Sequence, residues 1–286
     1  MMKLIRDPQR IQQILCKERA RGKSIGFVPT MGALHDGHLS LVRVSNREND
    51  ITVVSIFVNP TQFGPKEDLT KYPRPIQKDL RLLRAAKADL VLAPSVGAMY
   101  PEGLSKPLTV KGAKWPRFTK GLCGKFRPGH FRGVVTVVAK LLDIVRPSRL
   151  YLGAKDYQQA KVVSQLVQDI DMKTKVRILP TVRERDGLAL SSRNRFLSSE
   201  QRRRALAISR VLFALRQDLL KKKGTIAALR DRALRELKKS VDRIQYLEIV
   251  DPQTLLPLKR SQCTMVALAA CFVGKTRLID NVTITL

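Results

Sequence analysis

Over the first two-thirds of the chain, short apolar runs alternate with amphipathic segments. Such an alternation is typical of β-α-β units around a parallel sheet. The apolar runs predict strands at residues 24–28, 51–58, 90–93, 150–152 and 176–179. The segments between them predict helices at residues 38–46, 75–87, 133–145 and 160–169.

After about residue 180 the pattern changes. Ser198, Ser199 and Glu200 can cap a long basic helix that runs to about Lys223, and Gly224 ends it. A second helix is predicted over residues 225–240, followed by strands at residues 245–250, 264–273 and 277–286. Helices followed by consecutive strands favour a small α+β domain with an antiparallel sheet. The sequence therefore predicts a Rossmann-like α/β domain at residues 1–182 and a smaller α+β domain at residues 183–286.

Composition is typical of a globular protein, but the charge is unusual. The 286 residues are 44% hydrophobic and 27% charged, as in soluble folded chains. Lys and Arg number 54 against 24 Asp and Glu, a formal net charge of +30. This excess suggests nucleic acid, an anionic membrane or anionic small molecules as partners, and it does not choose among them.

Membrane and secretory signals are not expected. The longest apolar run, Met265–Val273, is about half the ~20 residues that a spanning helix needs. The N-terminal segment lacks the apolar core of a signal peptide, so we expect a cytoplasmic protein that does not bind membranes. The four cysteines, Cys16, Cys123, Cys263 and Cys271, lack the spacing of a metal site. We expect them to be reduced thiols that are buried like other small apolar side chains.

Two of the three histidines, His35 and His38, lie between the first predicted strand and helix, in PTMGALHDGH (29–38). Loops at the carboxyl ends of parallel strands bind ligands in open α/β sheets. The i, i+3 spacing places both imidazoles on one side of a first helical turn, where backbone N–H groups favour phosphate. A turn with two surface histidines is the alternative. No carboxylate or cysteine cluster completes a metal site, so we expect no resident metal.

Two further clusters carry polar and charged groups. In residues 151–159, Lys155 can neutralise phosphate and Asp156 can receive ribose hydroxyls or hold a metal, although an ordinary capped helix start remains open. In residues 188–194, two serines followed by Arg193 can clamp phosphate, although an ordinary polar linker remains open. Asn59 and Gln62, after the second strand, suit a hydroxylated substrate, although an ordinary loop remains open.

In combination, the motifs resemble the pantoate–β-alanine ligase family over nearly the whole chain. The H-x-G-H element alone indicates only the wider nucleotidyltransferase superfamily, which includes class I aminoacyl-tRNA synthetases. The motifs that carry the resemblance are PTMGALHDGH (29–38), SIFVNPTQFG (55–64), YPR (72–74), RPGHFRGVVTVVAKL (127–141), KDYQQ (155–159), PTVRE (180–184) and SSRNRFLS (191–198).

The resemblance implies that (R)-pantoate attacks the α-phosphate of ATP, with Mg²⁺ accompanying the nucleotide. Pantoyl adenylate and pyrophosphate form, and the β-alanine amine then displaces AMP. It also implies a cytoplasmic homodimer with small-molecule substrates and no specific nucleic-acid partner, acting in a pathway towards coenzyme A.

By resemblance, the catalytic residues are His35, His38, Lys155 and Arg193, with His38 as proton donor. Gln62 and Gln159 would bind pantoate, and Gln62 would later help to place β-alanine. Residues of the ATP site would be Met31, Gly32, Ala33, Leu34, His35, Asp36, Gly37, His38, Gly153, Ala154, Lys155, Asp156, Val182, Leu190, Ser191, Ser192 and Arg193.

Two positions depart from the family pattern. Ala154 stands where the family usually has Glu, and Leu190 where it usually has Met. The second change conserves volume. Since Lys155 and Asp156 remain, we expect Ala154 to be neutral or to adjust affinity through the backbone.

Two other functions stay open. One is a different nucleotidyltransferase, or a synthetase-like protein that acts on tRNA. The other is a nucleic-acid-binding protein without catalysis, because residues 201–243 hold 14 Lys and Arg against 4 Asp and Glu. We interpret that excess as solvated helix faces rather than as a nucleic-acid site.

Overall fold

A computed structural model describes residues 2–65, 67–104 and 109–286. Its strands are β1 (Lys3–Ile5), β2 (Ile25–Thr30), β3 (Ile51–Ile56), β4 (Leu90–Leu92), β5 (Arg149–Gly153), β6 (Lys175–Leu179), β7 (Arg243–Val250), β8 (Thr264–Val273) and β9 (Thr276–Thr285). The α-helices are α1 (Pro8–Ala20), α2 (Asp36–Glu48), α3 (Ile76–Ala85), α4 (Val96–Met99), α5 (Leu122–Phe126), α6 (His130–Val145), α7 (Tyr157–Asp169), α8 (Ser199–Leu220) and α9 (Ile226–Lys238). Short 3₁₀ helices cover Pro60–Gln62, Trp115–Thr119, Ala154–Asp156 and Ser192–Phe196.

Within the described residues, six strands form a parallel sheet in the order β1-β4-β3-β2-β5-β6. Its centre is apolar, with Phe27, Val28, Val53 and Val54 fully buried. A parallel sheet needs such strands because helices cover both of its faces. The chain moves outward from β2 through β3 to β4, then returns to place β5 on the other side of β2. This reversal is the topological switch point, where open α/β sheets bind ligands.

In the C-terminal part of the chain, β7, β8 and β9 form an antiparallel sheet. One apolar core joins it to α8 and α9. Of the residues predicted to cap α8, Ser198 is the N-cap, and Gln201 completes a capping box with it. The predicted fold class, a Rossmann-like parallel-sheet domain with a smaller α+β domain, is confirmed.

The chain divides into two compact units, each of which gathers separate segments. The first unit comprises residues 1–117, 127–153 and 159–180. The second comprises residues 118–126, 154–158 and 181–286. The domain boundary between residues 182 and 183 stays a prediction.

Two features of the N-terminal segment were not predicted from the sequence. β1 pairs in parallel with β4 at the sheet edge, and α1 follows with Asp7 as its N-cap. A three-residue strand is too short for a visible period, whereas Asp7-Pro8 is a recognisable helix start.

The expectation that all four cysteines are buried was wrong for two of them. Cys123 and Cys271 are buried, but Cys16 and Cys263 are exposed. Cys16 lies on the solvent side of α1, whose buried residues are Ile11 and Leu15, and Cys263 precedes β8.

Across the described part of the chain, no helix has the length and apolar character needed to cross a membrane.

Candidate active site

Three of the predicted site segments follow the carboxyl ends of neighbouring strands in the first unit. Residues 31–38 follow β2, residues 57–62 follow β3, and Gly153 ends β5. Because β2 lies between β3 and β5 in a parallel sheet, these ends share one sheet edge. The switch point therefore lies beside the two histidines.

His35 and His38 cap the start of α2 reciprocally. Nδ1 of His35 accepts the backbone N–H of Gly37 at 3.2 Å, and Nδ1 of His38 accepts that of His35 at 3.4 Å. The ring centroids lie 4.1 Å apart. A ring nitrogen that accepts an N–H carries no proton, so each neutral imidazole holds its proton on Nε2. Both rings are thus prepared as Nε2–H donors beside a helix N-terminus.

A buried carboxylate shapes the loop before these histidines. Asp79, on α3 and 1% exposed, accepts the N–H of Ala33 at 2.8 Å and that of Leu34 at 2.9 Å. These bonds hold Ala33 in the left-handed region, at φ 52°. At φ 78°, Gly32 lies so close to Asp79 that a Cβ would come within 3.0 Å of Oδ2. Sequence reasoning missed Asp79, because one acidic residue in an amphipathic helix predicts a solvated position.

Gln62 reaches the same loop from the 3₁₀ helix after β3. Its Nε2 lies 2.7 Å from Sδ of Met31, and its Oε1 accepts Nδ2 of Asn59 at 3.3 Å. Asn59 is itself 1% exposed, and its Oδ1 accepts the hydroxyl of Tyr100 at 2.8 Å. Its Nδ2 also donates to the Gly133 carbonyl. Asn59 therefore braces the segment from within, whereas the sequence suggested a substrate contact.

An ionic network supports the backbone of Gln62. Arg127 forms a bidentate pair with Glu67, at 2.7 and 2.5 Å, and donates from Nη1 to Nε2 of His130. His130 consequently carries its proton on Nδ1, which donates to the Gln62 carbonyl at 2.8 Å. Burial opposes ionisation of Glu67, but the hydrogen bonds and charge of Arg127 outweigh it and lower the pKa of this carboxyl. The motif around His130 is visible in the sequence, but its local pattern does not indicate this role.

Close packing fixes the same segment. Gly133 in α6 lies against the backbone of Thr61, so an added Cβ would overlap the Thr61 carbonyl. Only glycine permits this approach of helix and loop.

In the second unit, Lys155 lies in the 3₁₀ helix Ala154–Asp156. Nδ2 of Asn281, in β9, donates to the carbonyls of Ala154 and Lys155, both at 2.9 Å. Nζ of Lys155 lies 3.7 Å from Oδ2 of Asp156. The contact at Ala154 uses its carbonyl, which every residue type retains.

The serine–arginine segment of the second unit follows a short antiparallel pairing. The backbones of Arg183 and Ala189 form an isolated antiparallel β-bridge, and the N–H of Leu190 donates to the Val182 carbonyl at 3.0 Å. Ser191 then caps the 3₁₀ helix Ser192–Phe196 by accepting the N–H of Arg193 at 3.3 Å. The segment is thus an ordered turn rather than a loose linker.

Each unit therefore brings part of the predicted site together. In the first unit, Met31 and the two histidines lie between β2 and the first turn of α2, Gln62 contacts Met31, and Gln159 lies in α7. In the second, β9 holds the turn at Lys155 through Asn281. Among the described residues, no three His, Cys, Asp or Glu side chains cluster as a metal site.

Known proteins of one family match nearly the whole length of this chain. The sequence model of the pantoate-beta-alanine ligase family matches residues 3–283. The chain is 48% identical to a pantothenate synthetase of Moorella thermoacetica, over 98% of each chain.

Two solved structures extend this likeness. A pantothenate synthetase from Thermus thermophilus has a TM-score of 0.91 and 44% identity, covering 98% of this chain and 99% of its own. A pantoate-beta-alanine ligase from Francisella tularensis, complexed with beta-gamma ATP and beta-alanine, has a TM-score of 0.82 and 35% identity, covering 99% and 97%. On this sequence and structural evidence, the chain belongs to the pantoate–β-alanine ligase family.

Proposed function

We propose that this protein condenses (R)-pantoate with β-alanine at the expense of ATP, giving pantothenate, AMP and pyrophosphate through pantoyl adenylate. Family membership supports the overall reaction. The reciprocal cap of His35 and His38 carries the mechanistic part, because it leaves both rings protonated on Nε2 beside the same helix N-terminus.

In the first step a pantoate carboxylate oxygen attacks the α-phosphorus, and the bond to the pyrophosphate oxygen breaks. Negative charge grows on the non-bridging oxygens and on the leaving group. Preorganised N–H donors stabilise such charge without reorganising during the reaction. We assign this role to Nε2 of His38 and His35, supported by the partial positive charge at the start of α2. The loop of residues 31–38, with its two glycines, would receive the nucleotide.

Lys155 and Arg193 would neutralise the phosphates. A Lys acts as a point charge, whereas the Arg guanidinium offers a bidentate fork. Gly153, Ala154, Asp156, Val182 and residues 190–192 would complete the ATP contacts largely through backbone groups.

Gln62 and Gln159 would hold the pantoate hydroxyl and carboxylate. In the second step the β-alanine nitrogen attacks the carbonyl carbon of the adenylate, loses a proton, and AMP leaves with the former C–O bonding pair. Because no protein nucleophile takes part, the side chains act by positioning and charge stabilisation. The contact between Gln62 and Met31 supports a pantoate site beside the ATP loop.

Mg²⁺ would enter as part of the nucleotide substrate, since Mg²⁺ is commonly held by substrate phosphates with one or two carboxylates. Asp156, with a half-exposed side chain, is the carboxylate that we assign to this ion or to the ribose.

We further propose a cytoplasmic homodimer. Sedimentation velocity of the purified protein would test the dimer.

The direct test incubates purified protein with ATP, Mg²⁺, pantoate and β-alanine and detects pantothenate and AMP by mass spectrometry. Pyrophosphate exchange into ATP should require pantoate and should proceed without β-alanine. His38→Asn protein, purified in the same way, controls for contaminating host ligase. Exchange driven by an amino acid, with none driven by pantoate, would overturn the proposal.

A further inference from the structure

Two adjacent residues of β9 bind the two segments of the second unit that we propose as ATP contacts. Asn281 donates both Nδ2 protons to the turn at Lys155, at 2.9 Å each. Asp280 accepts Nη1 and Nη2 of Arg183 at 2.7 and 2.8 Å. Arg183 opens the pairing that leads into Ser191. One strand thus carries attachments to both segments.

These attachments are well buried and mutually braced. Asp280 is 4% and Asn281 is 6% exposed. Arg183 also donates to the carbonyls of Gly187 and Asn281, both at 3.1 Å, and its guanidinium lies 4.9 Å from the ring of Phe213. A buried, bidentate ion pair with further hydrogen bonds holds its geometry much more tightly than a surface pair.

The Asn281 contact has a specific chemical consequence. It binds two consecutive backbone carbonyls, so it fixes the turn while leaving the Lys155 side chain to act elsewhere. Neither carbonyl depends on residue type, which explains how Ala154 fits where the family usually has Glu. The Asp280–Arg183 pair does the same for the second segment, because Arg183 begins the antiparallel pairing that leads into Ser191.

We propose that Asp280 and Asn281 are positioning residues that set the distance between Lys155 and the Ser191–Arg193 turn, and thereby the fit to the triphosphate of ATP. This inference rests on the proposed function, which makes both segments ATP contacts. In this inference Asp280 and Asn281 touch no substrate and act through the two turns that they hold.

Asn281→Ala tests the inference, because it removes both donations and leaves the Asp280–Arg183 pair intact. In pantoate-dependent pyrophosphate exchange, KM for ATP and for pyrophosphate should rise about tenfold or more, since a small misplacement of a binding group can cost up to about a hundredfold. KM for pantoate should stay within about twofold. Thr283→Ala, an exposed position two residues further along β9, is the matched control and should retain wild-type constants.

A purely structural role would lower the thermal midpoint and the active fraction, and so kcat, with KM for ATP, pyrophosphate and pantoate all unchanged. That result, or a rise in KM for pantoate equal to the rise in KM for ATP, would overturn the inference. Asn281→Thr also lacks the amide donors but suits a strand, and it replaces the alanine variant if that variant does not fold. Wild-type protein without pantoate-dependent exchange would instead refute the proposed function, so the two failures are separate.

Discussion

Nδ1 of His38 accepts the backbone N–H of His35 at 3.4 Å, while the two rings lie 4.1 Å apart. The residue that begins the helix and the residue three positions later therefore fix each other's tautomer. The same bonds that cap the N-terminus of α2 prepare both Nε2 atoms as donors, so helix capping and candidate catalysis share one set of contacts.

Replacement of His38 separates these two roles. His38→Ala should lower the single-turnover rate of pantoyl-adenylate formation by about 10²–10³-fold, as loss of one preorganised donor does. Loss of the cap bond should reduce the free energy of unfolding by no more than about 2 kcal/mol. Quench-flow detection of the adenylate and urea unfolding measure the two effects.

His38→Asn is the matched variant, because the Asn amide oxygen takes the place of Nδ1 and leaves nothing at Nε2. It should recover stability towards wild type and remain as slow as His38→Ala. Normal adenylation by either folded variant would remove His38 from the mechanism.

The sequence could reveal the fold because its strands are continuous apolar runs. The apolar run at residues 51–58 predicted β3. The change after about residue 180, from alternating strands and helices to helices followed by consecutive strands, predicted the antiparallel sheet. β1 was missed because three residues, paired only at the edge, carry no periodic signal. The predicted end of α8 at about Lys223 lay beyond Leu220, since lysines of the last turn are equally suited to a helix and to the exposed turn that follows.

The candidate site was only partly accessible from the sequence. Motif spacing singled out the histidines, Gln62 and Lys155 as candidates, and all of them lie in the short segments and first helical turns that follow strands. Asp79 and Asn281 were missed because their partners are backbone groups distant in the chain. Bonds of this kind depend on tertiary packing, which local pattern does not encode.

Asp79 should prove essential to the loop that precedes the histidines. Asp79→Asn replaces one acceptor by an NH₂ group, leaving the N–H of Ala33 or Leu34 without its partner. The free energy of unfolding should fall by about 1–3 kcal/mol, and KM for ATP should rise. Urea unfolding and steady-state kinetics measure these changes, with Asp143→Asn in the exposed pair with Arg146 as a control that changes neither. A wild-type KM for ATP in Asp79→Asn would show that the loop does not need the carboxylate.

Glu67 gives the protein a predictable acid dependence. Its folded-state pKa is lowered, so its ionisation stabilises the fold above the unfolded pKa of about 4.3. That stabilisation is lost as the pH falls through the folded-state value. Glu67→Gln should therefore be less stable than wild type at pH 7, and the difference should shrink below about pH 4. Urea unfolding of both proteins across this range measures it.

The cause of this dependence can be tested separately. Because Arg127 lowers the Glu67 pKa more than the Gly64 backbone N–H and His130 do, the pH-dependent difference should largely vanish when Glu67→Gln is made in an Arg127→Met background. Persistence of the full difference in that background would assign the effect to another group.

Gly133 permits the close approach of α6 to the loop that carries Gln62. Gly133→Ala would drive a Cβ into the Thr61 carbonyl, so helix and loop must separate. Overpacking of this kind costs about 1–3 kcal/mol, and the displaced Gln62 should raise KM for pantoate more than KM for ATP. Gly97→Ala is the matched control, since Gly97 lies in α4 with nothing within 4 Å of an added Cβ. It should match wild type in thermal unfolding and kinetics. A Gly133→Ala variant with unchanged stability and unchanged KM for pantoate would mean that the segment can move aside without affecting Gln62.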